Sequence, residues 1–196
     1  MGLVTAWLTL LLSMVGALFW YNDWIYQLPT PVPKNYKPVA IGTQIDLGPK
    51  TAAGQHKPVF LHFYNPKCPC SRFNQSHFQS LVREYGQEID FVVVVLSDQK
   101  YTAEKIQDKI GVDIDVIFDP SLAVRCGVYA TPQAALLDRE QKLYYRGNYN
   151  ASRYCTDEKT AYAKNAIEAL LKSQMLPIWS AKALKSYGCT MPVCKN

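Results

Sequence analysis

Two cysteines stand one residue apart at Cys68-Pro69-Cys70, directly after Lys67. Close thiols can exchange a disulfide with another molecule, and as thiolates they suit a soft metal such as Cu(I). The thiolate is both the nucleophile and the ligand, so the surroundings must favour the charged form. Lys67 would help if its ammonium reaches the Cys68 sulfur. His62, six residues before Cys68, has two readings. A histidine there titrates near neutrality, or stands as a neutral core residue on a strand. His77 lies seven residues beyond Cys70, about 10 Å along a regular helix and too far to share one metal with it.

Four further cysteines complete an even set of six, which suits an oxidising compartment. Cys126 reads as a packed core thiol. Cys155 sits in a long connection, and Cys189 and Cys194 lie near the C-terminus. The favoured reading of these three is a structural staple, with the tail cysteines joined to each other or to Cys155. The other reading is a second redox pair that feeds the first.

The elements that hold these groups follow from periodicity. Residues 58–64 (PVFLHFY) and 91–96 (FVVVVL) are apolar runs of the kind that form strands covered on both faces. Residues 71–85 carry Phe73, His77, Phe78, Leu81 and Val82 at helical spacing and end at Gly86. Cys68 therefore falls at a helix start, where unsatisfied N–H groups favour a thiolate. Helices are expected at 101–110, around 122–126 and at 156–172, and strands at 115–118, 133–137 and 143–147. Strand–helix alternation followed by two adjacent strands and a helix gives an α/β sheet with helices on both faces.

The 196 residues suit one domain with appended sequence, and an apolar fraction of 48% disfavours a disordered or fibrous chain. The net charge of +5 is scattered with no basic run, so a nucleic-acid partner is not expected. Residues 1–26 read as a membrane anchor: 2–21 hold no charged side chain, and Trp20, Tyr21, Trp24 and Tyr26 form an interfacial cluster. A cleaved signal peptide is the rival, with small residues at Val15-Gly16-Ala17. The missing basic n-region and the apolar character past Ala17 favour the anchor. Lys34 and Lys37 would place the domain in the cytoplasm by the positive-inside tendency. Asp23 and the cysteine count favour a periplasmic, extracytoplasmic placement, which is the preferred expectation. Pro29, Pro31, Pro33 and Pro38 mark 27–56 as a stiff linker. The folded domain is expected over 57–173 and a cysteine-containing tail over 174–196.

The segment from Lys57 through PVFLHFYNPK to Cys68 resembles the strand and active-site turn of thioredoxins and of membrane-anchored TlpA-type reductases. Gly127-Val128-Tyr129-Ala130-Thr131-Pro132 resembles the family's cis-proline loop. The resemblance covers roughly 57–172 and implies a thioredoxin-like fold, a central mixed sheet flanked by helices. It implies that Cys68 is the nucleophile of a thiol–disulfide oxidoreductase. It also implies that Thr131-Pro132 is cis and leaves its backbone open to an extended protein substrate. His62 matches the place of a buried acidic proton acceptor. The expected partners are a protein thiol or disulfide and a redox-recycling protein, with no cofactor.

The departure is at the second cysteine. Ser71 takes the position that completes the family's C-x-x-C, and Cys70 is the candidate resolving thiol in its place. A bridge across so small a ring is expected to be strained and oxidising. Alternatively Cys70 is buried and inert. A copper chaperone of the Sco type is the competing function, although that family spaces its cysteines by three and uses a downstream histidine; none follows His77. A thioredoxin-like binding module with idle cysteines is the non-catalytic alternative. A peroxiredoxin is disfavoured because Asn65 and Lys67 stand where a hydroxyl residue is needed.

Overall fold

The computed structural model describes residues 2–48, 57–152, 155, 157–173 and 178–191; His56 and Cys194 lie outside them. Helix α1 (Gly2–Gln27) is followed by strand β1 (Val59–Tyr64), helices α2 (Pro69–Phe73) and α3 (Gln75–Tyr85), and strand β2 (Asp90–Val95). Helix α4 (Ala103–Ile110), strand β3 (Asp115–Ile117) and helix α5 (Ser121–Arg125) come next. Strands β4 (Ala130–Thr131), β5 (Gln133–Leu137) and β6 (Leu143–Gly147), then helices α6 (Tyr162–Leu171) and α7 (Ala181–Leu184) and strand β7 (Cys189–Thr190), complete the chain.

Five strands form one sheet in the order β3-β2-β1-β5-β6. β1 runs parallel to β2 and antiparallel to β5, and every residue of it is buried. A strand covered on both faces must be apolar throughout, which is why VFLHFY shows no polar alternation. Its side chains divide between two cores. Phe60 and Tyr64 pack with Phe78, Leu81, Ile106 and Ile167 on the face covered by α3, α4 and α6. Leu61 and Phe63 pack with Leu122 and Cys126 on the face covered by α5. This is a thioredoxin-like fold, with β1 delivering the Cys68 turn from its C-terminal end.

The helix expected over 71–85 is divided at Asn74, which caps α2 and begins α3. The ladder nearly continues, because Asn74 N donates to Cys70 O at 3.2 Å and Phe78 N to Asn74 O at 3.0 Å. The last long helix begins only at Tyr162, after a 3₁₀ turn over Glu158–Thr160 capped by the Asp157 side chain. α4 is capped at both ends, by the Thr102 side chain accepting from Lys105 N and by Gly111 at φ 74°.

Both flanks pack on the domain. The stretch read as a stiff linker lies against it. Ile45 and Leu47 are buried over the α5 face, Ile45 N donates to Gln141 O at 2.9 Å, and Tyr36 Oη donates to Gly127 O at 3.0 Å. Prolines keep the segment extended, and its apolar residues gain by covering a core face that the sheet and α5 leave open. The tail also packs: Asn148 Nδ2 donates to the carbonyls of Lys182 and Lys185, and Trp179 sits 4.7 Å from the Tyr145 ring. α1 includes a 23-residue apolar span, Gly2–Trp24, of mean hydropathy 2.0 with none of it buried. It is long and apolar enough to cross a bilayer.

Candidate active site

Cys68 is the residue before α2, with extended backbone (φ −79°, ψ 122°), and Pro69 opens the helix. Proline suits that place because it has no N–H to leave unsatisfied. The preceding turn is fixed by Asn65, whose carbonyl accepts from Cys68 N at 3.0 Å and whose Oδ1 accepts from Lys67 N at 3.0 Å. Ser71, where a second cysteine is usual, is fully buried; its Oγ accepts from Asn65 N at 3.4 Å. It tethers the turn.

Cys68 is disulfide-bonded to Cys189, 121 residues away, with Cα atoms 6.1 Å apart. This corrects the expected pairings: Cys68 does not close on Cys70, and Cys189 is stapled neither to Cys194 nor to Cys155. Cys194 lies outside the described residues. Chain distance hid the pair, since only the return of the tail along β4 brings Cys189 to the turn. The register sets Ala130 opposite Thr190 and Thr131 opposite Cys189 in an antiparallel pair.

The Thr131–Pro132 peptide is cis, as the resemblance implies. The Cys68 sulfur lies 3.5 Å from Thr131 O. A disulfide sulfur has no proton to donate, so this is a van der Waals approach here; the reduced thiol could donate to the same carbonyl. Gly188 has φ +145°, and a Cβ there would collide with Thr131 O. Only glycine lets the tail lie this close to the cis-proline loop.

The remaining candidates fall into place around that bond. Lys67 does not serve the sulfur: its Nζ is 3.1 Å from Asp98 Oδ1 in an exposed ion pair. The solvated carboxylate is an easier partner than a buried disulfide. His62 is the neutral core residue of the two readings. It is 1% exposed, its ring stacks on Phe78 at 4.2 Å, and its Nδ1 shares a 2.7 Å hydrogen bond with the Tyr149 hydroxyl. Burial pushes its pKa down to about 3, so it is a weak base near neutral pH. Cys126 is a core thiol, pushed up to about 12 by burial.

Cys70 is buried, and its sulfur, those of Cys68 and Cys189 included, belongs to a set lying within 4.8 Å of one another. It also lines a small cleft of about 50 Å³ with Asn74, Pro132, Tyr149, Cys155 and Gly188. There the Cys155 thiol, pushed up to about 12 by burial, donates to Asn74 Oδ1 at 2.9 Å. Asn74 and Tyr149 were not singled out in the sequence. A polar residue inside an apolar helical pattern was the signal for Asn74, and Tyr149 offered none.

Among solved structures, a hypothetical protein of Sinorhizobium meliloti 1021 shares 20% identity over 80% of this chain and 96% of that one, with a TM-score of 0.64. An uncharacterized conserved protein of Geobacillus kaustophilus shares 20% identity over 84% of this chain and 97% of that one, with a TM-score of 0.61. These are likenesses of fold. No curated protein matches the chain. Residues 40–193 match a family described as a domain of unknown function, DUF6436. The match begins inside the proline-containing stretch and ends beyond Cys189, so it takes in both flanks that pack on the sheet. The chain therefore belongs to the DUF6436 family.

Proposed function

We propose that the protein is a thiol–disulfide oxidoreductase whose redox pair is Cys68 and Cys189. The observation that carries this reading is the Cys68–Cys189 bond seated against the cis Thr131–Pro132 peptide. In the reduced chain, Cys68 thiolate attacks a substrate disulfide and displaces one substrate thiolate. Cys189 thiolate then attacks the Cys68 sulfur of the mixed disulfide and displaces the second. The substrate gains two electrons and the chain closes its own bond. The reverse sequence oxidises a dithiol, so a partner thiol or disulfide is needed to reset the pair.

In the oxidised state Cys68 is 2% exposed while Cys189 is only half-buried. An incoming thiolate therefore reaches the Cys68 sulfur only as the tail lifts from it, and Cys189 leaves as the thiolate. Cys189, rather than Cys70, is the resolving thiol. The expected substrate is an extended protein segment that replaces the tail along Ala130–Thr131, and the recycling partner is a second thiol protein. The apolar N-terminal helix would hold the domain at a membrane on its extracytoplasmic side, where a stable disulfide is favoured.

The test uses oxidised glutathione as the probe on the reduced full chain. Wild type is expected to end as the closed Cys68–Cys189 disulfide. Cys189→Ser is expected to accumulate a single glutathione adduct on Cys68, seen by intact and peptide mass. A Cys68–Cys70 disulfide in that variant, or no adduct, would overturn the assignment of the resolving thiol.

A further inference from the structure

We infer that the reduced form of this chain binds one Cu(I) ion through three thiolates, Cys68, Cys70 and Cys189. The exchange pair uses two of the sulfurs and leaves the buried Cys70 thiol without a part in the reaction. The inference rests on the same cluster as the exchange reading but does not require turnover.

Two different elements converge to make the site. Cys68 and Cys70 come from the start of α2 and Cys189 from β7, and their three sulfurs lie within 4.8 Å of one another. Residues i and i+2 of a regular helix point to different sides. Here Cys68 precedes the helix with extended backbone, which lets its sulfur and that of Cys70 share one side. A zinc–thiolate bond is about 2.3 Å, so three sulfurs around one ion of similar size in a plane stand about 4 Å apart. When the bond is reduced, its two sulfurs separate to non-bonded contact, toward that spacing, and a bound ion would hold the tail cysteine against the start of α2.

The donor chemistry selects the ion. The clustered donors are all sulfur, which suits soft Cu(I). Magnesium and calcium want oxygen ligands, and a structural zinc site wants four donors. Cys68 and Cys70 are 2% and 7% exposed, so a strongly hydrated cation would lose more than three soft ligands return.

Oxidation and metal binding then exclude each other. An incoming disulfide takes one electron from each of the Cys68 and Cys189 thiolates and leaves as two thiolates, which pick up protons from solvent. The ion remains Cu(I) and is released, because two of its three ligands are now bonded to each other. A dithiol reductant reverses the step and restores the site.

The test uses the full chain in detergent, reduced with a dithiol, freed of reductant without air, and titrated with Cu(I) against the chelator bathocuproine disulfonate. One Cu(I) per chain is expected, with three sulfurs in its X-ray absorption spectrum, and at least hundredfold weaker binding by the oxidised chain. Cys70→Ser is expected to lower affinity at least tenfold and reduce the sulfur count to two. In wild type, bound Cu(I) should protect Cys68, Cys70 and Cys189 together from alkylation, a readout that does not depend on the variant folding. Equal binding by oxidised and reduced chains, or a two-sulfur site in wild type with Cys70 still alkylated, would overturn the inference. The metal-free redox behaviour of Cys68 and Cys189 is measured separately, so loss of copper binding with that couple intact removes only the metal site.

Discussion

Reducing the Cys68–Cys189 bond is expected to lower the unfolding free energy by about 3–5 kcal/mol, the range for a native disulfide that closes a loop of about a hundred residues. The bond joins residues 121 apart, so it removes a large share of the unfolded chain's freedom. Among the described residues, the other contacts at the end of the tail are few and non-covalent: the two paired residues of β7, hydrogen bonds from Thr30 N to Ser186 O and Thr30 Oγ1 to Gly188 O, and Met191 against the core. The two hydrogen bonds from Asn148 Nδ2 act earlier, at Lys182 and Lys185. A net hydrogen bond is worth about 1 kcal/mol, so these contacts cannot replace the covalent link. Reduction should thus loosen the tail and uncover Cys68, which is what an incoming substrate requires. Urea unfolding of the full chain with and without a dithiol, repeated on Cys189→Ser, measures the effect. The variant should match the reduced wild type and ignore the reductant. A reductant effect that survives in Cys189→Ser would mean that another bond carries the stability.

The second large effect is acid sensitivity set by His62. Its pKa in the folded protein is about 3 because burial disfavours the imidazolium. In the unfolded chain it titrates near 6.5. Between those values the unfolded state binds the extra proton, so stability is complete above about pH 6.5 and falls as the pH drops below it. From pH 7 to pH 5 this one residue should remove about 2 kcal/mol, on a limiting slope of about 1.4 kcal/mol per pH unit. His77 is also lowered by its burial and contributes in the same direction. The depressed carboxylates Glu84, Asp119 and Glu168 lose their contributions further down, around and below their ordinary range. The pH 5–7 interval therefore isolates the histidines. Unfolding curves for wild type and His62→Gln at both pH values are the measurement. Whatever the variant's stability at pH 7, its decline over the interval should be smaller by about 2 kcal/mol. Equal declines would show that His62 is not held neutral.

Local chemistry made the central fold readable. β5 and β6 fall where the alternating and apolar runs place them, and β1 and β2 differ from expectation by a residue at their ends. The Cys68 turn and the cis-proline loop were legible because each is a short contiguous motif. The divided helix was not: Asn74 keeps near-helical backbone at the division, and its side chain's partner, Cys155, lies far along the chain. The flanks failed for the same reason. Prolines before the domain read as a spacer, yet Ile45 and Leu47 close a core face that only the assembled sheet presents. Six cysteines allow many pairings, and nothing near Cys189 announces Cys68. Gly188 was the one local trace, a residue able to lie against Thr131 where any side chain would collide.

Redox mapping of the cysteines tests the central claim most directly. The full chain is equilibrated across a series of thiol–disulfide buffers, quenched in acid, alkylated and mapped by peptide mass. Cys68 and Cys189 should change state together through a single two-electron transition, with Cys126 and Cys155 remaining thiols throughout. A Cys68–Cys70 bond, with Cys189 joined instead to Cys155 or Cys194, would contradict the account.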